Sequence, residues 1–155
     1  MKIIVLIMIV ASFSLVGCRS PVYSPPTTGN KTFDNQVINN NFDVVWNRTI
    51  KWFAINSVGV KVFEKDSGFI VAEGNYYGNA LFDCGKYTGY RQKDLSVIGK
   101  FNVLVEKNNN ESSVRLTLTG VGTFSSQRYP TQVKSCVSSD ALENQFFKYL
   151  HEIDK

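Results

Sequence analysis

Cysteine and histidine are the residue types that most often carry covalent or metal chemistry, and this chain has three cysteines and one histidine. His151 is that single histidine, and the chain contains no Cys-x-x-Cys or His-Glu-x-x-His spacing. The sequence therefore predicts no metal site, no cofactor and no catalytic thiol. Cys84 and Cys136 form an even pair, which in an exported chain predicts a disulfide. A reactive or metal-binding thiol is the alternative in a reducing compartment.

Cys18 differs from the other two cysteines because it follows an apolar leader. Lys2 is the only charged residue of the leader, the stretch from Ile3 to Val16 is almost entirely apolar, and the small residue Gly17 precedes the cysteine. This is the layout of an export signal. A membrane-spanning helix needs about 20 apolar residues, so a transmembrane segment is the less favoured alternative.

The four residues that end the leader, Leu15, Val16, Gly17 and Cys18, resemble the lipobox of bacterial lipoproteins. The resemblance implies cleavage before Cys18, a diacylglyceryl group on its sulfur and an acyl chain such as palmitate on the freed amine. Two or three acyl chains, at about 0.8 kcal/mol for each buried methylene, would hold the protein on a membrane. Arg19 stands where inner-membrane lipoproteins of enterobacteria commonly have Asp. It resembles the outer-membrane default, with the inner membrane as the alternative location.

Composition and residue order divide the chain into three parts. Residues 1–17 are the expected signal peptide, residues 18–32 a tether rich in Pro, Ser and Thr, and residues 33–155 a single α+β domain. A Pro-rich tether stays extended at about 3 Å per residue, so we expect it to hold the domain away from the lipid surface. The formal net charge is +4 without a cluster of Lys or Arg, and nucleic-acid binding is not expected.

Two segments of the expected domain have the periodicity of amphipathic helices. In residues 41–57 the apolar side chains recur at helical spacing, with Asn41 as the N-cap and Gly59 as the terminator. The second helix is predicted for residues 139–153, behind a cap signal that begins at Asp140.

Four strands are predicted between these helices. Residues 60–74 hold two β-branched runs around a turn at residues 65–68, which predicts a hairpin. Residues 100–107 and 113–120 alternate apolar and polar side chains around an Asn-rich turn, and a further strand is expected between residues 31 and 38. The predicted fold is α+β with two layers, an antiparallel sheet of four to five strands with two helices packed on one face.

The helix start "DVVW", residues 43–46, and the segment "GVKVFEKDSGFIVAE", residues 59–73, are similar to the repeated domain of the C lipoprotein of the outer-membrane β-barrel assembly machinery. The likeness covers about residues 42–153, and this chain has one such domain where that lipoprotein has two. Because one fold hosts many functions, the resemblance implies a fold and not an activity.

The least regular segment of the chain, residues 74–94, is rich in Tyr and Gly. Its candidate binding residues are Tyr76, Tyr77, Tyr87 and Tyr90. Tyrosine offers a flat apolar surface with a polar end, which is common at interfaces. The same side chains could instead pack on the sheet, and the pattern does not separate the two interpretations. A Cys84–Cys136 disulfide would constrain this segment and so reduce the entropy that it loses on binding.

No set of side chains predicts catalysis, because carboxylates such as Asp43, Glu64, Asp66 and Glu73 lie at cap, strand and turn positions. The expected function is therefore non-catalytic. It is that of a lipid-anchored envelope lipoprotein, which contacts membrane lipid through acylated Cys18 and binds or scaffolds an envelope protein complex. The alternative is a periplasmic lipoprotein that binds a small molecule or a glycan. A hydrolase would require distant polar residues to meet on folding.

Overall fold

The computed structural model describes residues 20–27, 33–91 and 94–152. The leader, Cys18 and Ile153 lie outside the described residues. In chain order the elements are β1 (Tyr23–Ser24), β2 (Phe33–Ile38), α1 (Phe42–Ile55), β3 (Gly59–Glu64), β4 (Phe69–Tyr77), β5 (Phe82–Asp83), β6 (Lys86–Tyr87), β7 (Leu95–Asn108), β8 (Glu111–Phe124), β9 (Gln132–Ser138) and α2 (Ala141–His151).

These elements form the predicted α+β fold around a sheet that is larger than predicted. Among the described residues the main sheet has seven antiparallel strands in the order β3-β4-β7-β8-β9-β5, with β2 also paired to β8. Strands β1 and β6 form a separate two-stranded sheet. The prediction of a further strand before α1 is confirmed by β2, whereas the prediction of four to five strands is wrong. Strands β5, β6 and β9 are short or largely polar, so they lack the alternation of apolar residues that marks a half-buried strand.

The β7–β8 hairpin is the longest feature of the sheet. Each strand has 14 residues, and their pairing is continuous. Antiparallel strands of this length span roughly 45 Å at about 3.4 Å per residue. The hairpin has a turn end at Asn109, whose φ of 52° suits a two-residue turn. At its open end Leu95 pairs with Phe124.

One face of the sheet, the inner face, is buried. It carries Phe101, Val103 and Val105 of β7 and Val114, Leu116 and Leu118 of β8, all at most 2% exposed. Helix α1 packs on this face, where the ring centroid of Phe53 lies 5.6 Å from that of Phe101. Helix α2 packs against α1 through Phe146, whose ring centroid lies 5.2 Å from that of Trp52. The interlocking aromatic rings thus join the helices to the half of the sheet nearer the turn end.

The start of α1 is as predicted, but its end is not. The Asn41 side chain accepts a hydrogen bond from the Val44 N–H at 3.1 Å, which confirms it as the N-cap. The residue with a left-handed backbone after the helix is Ser57, with φ of 55°, and not the predicted terminator Gly59.

The cap of α2 also differs from the prediction. Asp140 precedes the helix with φ of 67° and makes no side-chain capping hydrogen bond. This backbone conformation lies outside the extended region typical of an N-cap. The Ser138 hydroxyl bridges the residue before the helix and a residue in its first turn. Its Oγ accepts a hydrogen bond from the Asp140 N–H at 3.2 Å and donates one to Glu143 Oε2 at 2.6 Å.

The half of the inner face nearer the open end contains a row of glycines. Gly74 of β4 pairs with Gly99 of β7, which pairs with Gly120 of β8. The fully buried ring of Phe82 lies on this row, so a Cβ at Gly99 or at Gly120 would lie 2.7 Å from a ring carbon. The glycines leave the space in which the segment between β4 and β7 packs on the sheet.

Candidate functional site at the open end of the hairpin

Cys84 and Cys136 form the predicted disulfide, which ties the segment between β4 and β7 to β9. Their Cα atoms lie 4.1 Å apart, and the two residues are 0% and 2% exposed. Both sulfur atoms lie over Gly122, where an added Cβ would be 2.6 Å from each. The disulfide therefore lies on the inner face and constrains the open end of the sheet.

Tyr76 and Tyr77, two of the four candidate binding tyrosines, point to opposite faces of β4. The Tyr76 ring covers Gly74 and Gly99 on the inner face and lies 5.4 Å from the ring of Phe82. Its hydroxyl is buried without a hydrogen-bond partner among the described residues, and burial raises the pKa of Tyr76 to about 12. Tyr77 is 80% exposed on the opposite, outer face. In the folded domain, Tyr76 packs and Tyr77 is accessible to a partner.

Tyr87 and Tyr90 belong to an aromatic cluster at the open end. The Tyr87 ring centroid lies 4.7 Å from that of Tyr23, 5.4 Å from that of Tyr90 and 5.2 Å from that of Phe124. The Tyr90 ring centroid lies 5.5 Å from that of Tyr129. The structure thus brings Tyr87 and Tyr90 into contact, while the other two candidate tyrosines lie on β4.

The first part of the predicted tether reaches this cluster. Strand β1 pairs with β6, and the Thr88 N–H donates a hydrogen bond to the Val22 carbonyl at 3.0 Å. The Tyr23 hydroxyl donates to the Cys84 carbonyl at 3.2 Å. Residues 20–27, called here the docked segment, therefore lie against the domain and do not extend away from it. The Pro-rich composition does not reveal this contact, which joins residues distant in the chain, such as Tyr23 and Cys84.

Asp83 holds the other end of the docked segment. Its carboxylate accepts hydrogen bonds from the Thr27 N–H at 3.1 Å, from the Thr27 hydroxyl at 3.3 Å and from the Gly85 N–H at 2.9 Å. Burial acts to raise the pKa of Asp83, but these hydrogen bonds outweigh it and lower the pKa below its ordinary value. The carboxylate is therefore ionised at neutral pH, the state in which it accepts hydrogen bonds most strongly.

Two clefts open beside the aromatic cluster, and basic side chains line both. The larger cleft, of about 720 Å³, is lined by Arg91, Arg128, Asp94 and the hydroxyl-bearing residues Ser125, Ser126 and Thr131. The smaller cleft, of about 240 Å³, is lined by Lys86, Arg91, Tyr87, Tyr90 and Phe124. Arg91 lies between the two clefts and contributes to each.

The outer face of the sheet carries an apolar patch near the open end. Tyr77, Ile98, Val121 and Val133 are 80%, 50%, 49% and 60% exposed, and together they are called the outer patch. Ile98 and Val121 are direct cross-strand neighbours, and Tyr77 and Val133 lie on the adjoining row of the sheet. Isolated exposed apolar residues are ordinary, whereas these four adjoin one another on one face of the sheet. Sequence reasoning missed the outer patch because its members come from four strands whose register the sequence does not reveal.

The part of the chain that the structure describes contains no group of three or more His, Cys, Asp or Glu side chains that could hold a metal ion. His151 is the last residue of α2 and is exposed. Within residues 20–27, 33–91 and 94–152, no helix has the length and apolar character needed to cross a membrane. No protein-family model matches the chain, and no curated protein sequence matches it.

Proposed function

We propose that this chain is a non-catalytic, lipid-anchored envelope lipoprotein that binds a membrane-associated protein partner. The lipobox-like residues that end at Cys18 support the anchor, and the outer patch supports the partner. In this proposal the acyl chains on Cys18 lie in the outer membrane and the domain faces the periplasm.

The outer patch is the observation that carries the binding role. A tyrosine beside aliphatic side chains is typical of the centre of an interface, where charged residues are depleted. Ile98 and Val121 lie on β7 and β8, which are central strands with a neighbour on each side. A surface built on paired central strands is already ordered, so it loses little conformational entropy when it binds a partner.

The position of the outer patch favours a partner that is itself at the membrane. The patch includes Tyr77, which pairs with Ser96, the residue next to Leu95 at the open end. The docked segment lies at the same end and begins two residues after Cys18. A membrane protein is therefore the partner most accessible to this surface.

Site-specific photo-crosslinking tests the partner. A photo-reactive residue replaces Val121 in the outer patch or, as a matched control, Val37 of β2, which is 52% exposed outside the patch. We expect a discrete crosslinked product at position 121 and none at position 37. Adding Ile98→Asp should lower the yield by about tenfold or more, because an unpaired carboxylate is costly in an apolar interface. Equal products at both positions, or none at position 121, would reject the outer patch as the partner-binding surface.

The intact mass of protein purified from native membranes tests the anchor. We expect a chain that begins at Cys18 and carries the mass of two or three acyl chains. A full-length chain without acyl mass would reject the anchor and leave the binding surface to be explained in another compartment.

A periplasmic lipoprotein that binds a small molecule or a glycan is the second candidate, and the smaller cleft favours it. The cleft combines the rings of Tyr87 and Tyr90 with the cations of Lys86 and Arg91, a mixture that suits a sugar or a small anion. Saturable binding that Tyr90→Ala weakens and Tyr77→Ala leaves intact would support this function. Binding that is indifferent to Tyr90→Ala would exclude the cleft.

A further inference from the structure

We infer that the open end of the domain makes a second membrane contact, in which Lys86, Arg91 and Arg128 bind the phosphate groups of anionic lipids. These three residues are called the basic rim. The inference rests on the proposed anchor at Cys18 and extends it, because an acyl anchor by itself leaves the orientation of the domain open.

The docked segment fixes where the anchor meets the domain. Ser20 lines a cleft together with Gly89, and Gly89 also lines the larger cleft that holds Arg91 and Arg128. Cys18 lies two residues before Ser20, and two residues of fully extended chain span at most about 7 Å. An acylated Cys18 therefore brings the lipid surface beside the basic rim and leaves the turn end of the hairpin far from it.

Among the residues that the structure describes, no ion pair holds the guanidinium groups of the basic rim. Arg91 and Arg128 are exposed, and neither guanidinium forms an ion pair or hydrogen bond with another described side chain. Two carboxylates lie at this end. Asp94 lines the larger cleft and accepts a hydrogen bond from the Arg91 backbone N–H at 3.0 Å, and Asp83 accepts one from the Thr27 backbone N–H at 3.1 Å. The guanidinium groups are therefore available to an external anion.

The larger cleft has the chemistry of a phosphate site. Guanidinium groups bind phosphate oxygens through paired, charge-assisted hydrogen bonds. The hydroxyl groups of Ser125, Ser126 and Thr131 line the same cleft and can donate to the remaining oxygens. A lipid headgroup reaches such an open cleft from the membrane surface without leaving the bilayer.

The turn end of the hairpin lacks this charge pattern. Its Lys65 ammonium lies 2.8 Å from the Asp43 carboxylate. The hydrogen bond and the positive charge of Lys65 hold the pKa of Asp43 below its ordinary value. Glu106 and Lys107 are consecutive in β7 and line a further cleft at the turn end together with Lys65. Because Lys65 is paired with Asp43, whereas Arg91 and Arg128 form no ion pair with a described side chain, the turn end offers an anionic membrane less attraction.

Tryptophan quenching in vesicles tests the contact on the acylated protein. Exposed Gln127, beside Arg128, is replaced by Trp, and the protein is reconstituted in brominated phosphatidylcholine with or without phosphatidylglycerol. Trp46 and Trp52 are each 1% exposed, so their emission is a constant background. We expect the indole introduced by Gln127→Trp to lose emission in the anionic vesicles. The loss should shrink in neutral vesicles and at high salt, because salt screens attraction to headgroups.

Charge variants then identify the residues responsible. Adding Arg91→Gln and Arg128→Gln should lower the ratio of docked to undocked domain about fivefold for each charge removed. The matched pair Lys61→Gln and Lys107→Gln removes the same charge elsewhere and should leave the quenching unchanged. As a positional control, Asn110→Trp at the turn end should show no quenching in either type of vesicle.

Two results would overturn the proposed binding of the basic rim to anionic lipids. The first is equal quenching in neutral and anionic vesicles, and the second is quenching that survives the two arginine substitutions. The mass at Cys18 is measured on the same samples. Acylated protein without charge-dependent quenching keeps the anchor and rejects the lipid contact, whereas a chain without acyl mass rejects the anchor and this inference with it.

Discussion

Tyr76 buries a polar hydroxyl together with an aromatic ring that packs on the sheet. The ring covers Gly74 and Gly99, but the hydroxyl is buried without a hydrogen-bond partner among the described residues. Removing such a hydroxyl removes its desolvation cost. We expect Tyr76→Phe to raise the free energy of unfolding by about 1 kcal/mol at pH 7, measured by urea denaturation. Tyr77→Phe, at an 80% exposed position, is the control and should change it by less than about 0.5 kcal/mol.

The same phenol predicts a change of stability at alkaline pH. Burial raises the pKa of Tyr76 to about 12 in the folded domain, against an ordinary value of 10.0. Between these values the unfolded chain releases a proton that the folded chain retains, so the free energy of unfolding falls as pH rises from 10 to 12. We expect Tyr76→Phe to lose less stability than the unchanged protein over this window. Parallel stability curves for the two proteins would contradict the burial of the hydroxyl.

The glycine row makes a prediction at the scale of elements, because it joins three strands to the segment that covers them. A Cβ at Gly120 would lie 2.7 Å from the Phe82 ring and 3.1 Å from Cys136 Cβ. We expect Gly120→Ala to lower the free energy of unfolding by about 1–3 kcal/mol through overpacking. Gly59→Ala is the matched control, since its nearest neighbour would be a carbonyl oxygen at an ordinary 3.6 Å. Equal effects of the two substitutions, measured by thermal denaturation, would argue against close packing on the row.

The docked segment makes a second prediction at this scale. Tyr23 packs its ring 4.7 Å from that of Tyr87 and 4.8 Å from the Lys134 ammonium. Loss of the aromatic and cation–π contacts in Tyr23→Ala should cost about 1–2 kcal/mol and release the segment. Hydrogen exchange at the Thr88 amide, which donates to the Val22 carbonyl, should then become faster. Unchanged exchange at Thr88 would show that the segment docks without this ring.

Strong local periodicity explains which elements the sequence predicts. Helix α1 and the β7–β8 hairpin carry an apolar stripe along most of their length, so their type and buried face follow from spacing. In β9 the buried Cys136 lies among mostly polar residues, and β1 has only two residues. Neither strand has an apolar stripe, so their pairing depends on partners that are distant in the chain. Tertiary contacts also decide the role of each tyrosine, since Tyr76 and Tyr77 are adjacent in sequence and opposite in burial.

At the scale of the whole molecule, different parts of the chain cover the two halves of the inner face. The helices cover the half nearer the turn end, and the segment between β4 and β7 covers the half nearer the open end. Cys84, Cys136, Tyr87 and Tyr90 of the candidate site could be identified from the sequence, whereas Tyr23 and Tyr129 of the aromatic cluster could not. The basic rim could not, because Arg91 and Arg128 are separated in sequence and meet through the fold. The proposed contacts with partner and lipid both lie in the half that the disulfide braces.

The disulfide should therefore control both the stability of the domain and the integrity of the proposed contacts. It joins residues separated by 52 positions, for which loop-closure entropy gives about 4 kcal/mol. Replacing Cys84 and Cys136 together by Ser should lower the free energy of unfolding by this amount in urea, and reduction of the unchanged protein should produce the same loss. Small domains have roughly 5–15 kcal/mol of stability, so the loss takes a large share. Amides of the docked segment should exchange faster before those of α1, because β1 pairs with β6 in the segment between β4 and β7, which the bridge ties to β9. A loss below about 1 kcal/mol, far under the loop-closure value, would show that packing of Phe82 on the glycine row holds the open end without the bridge.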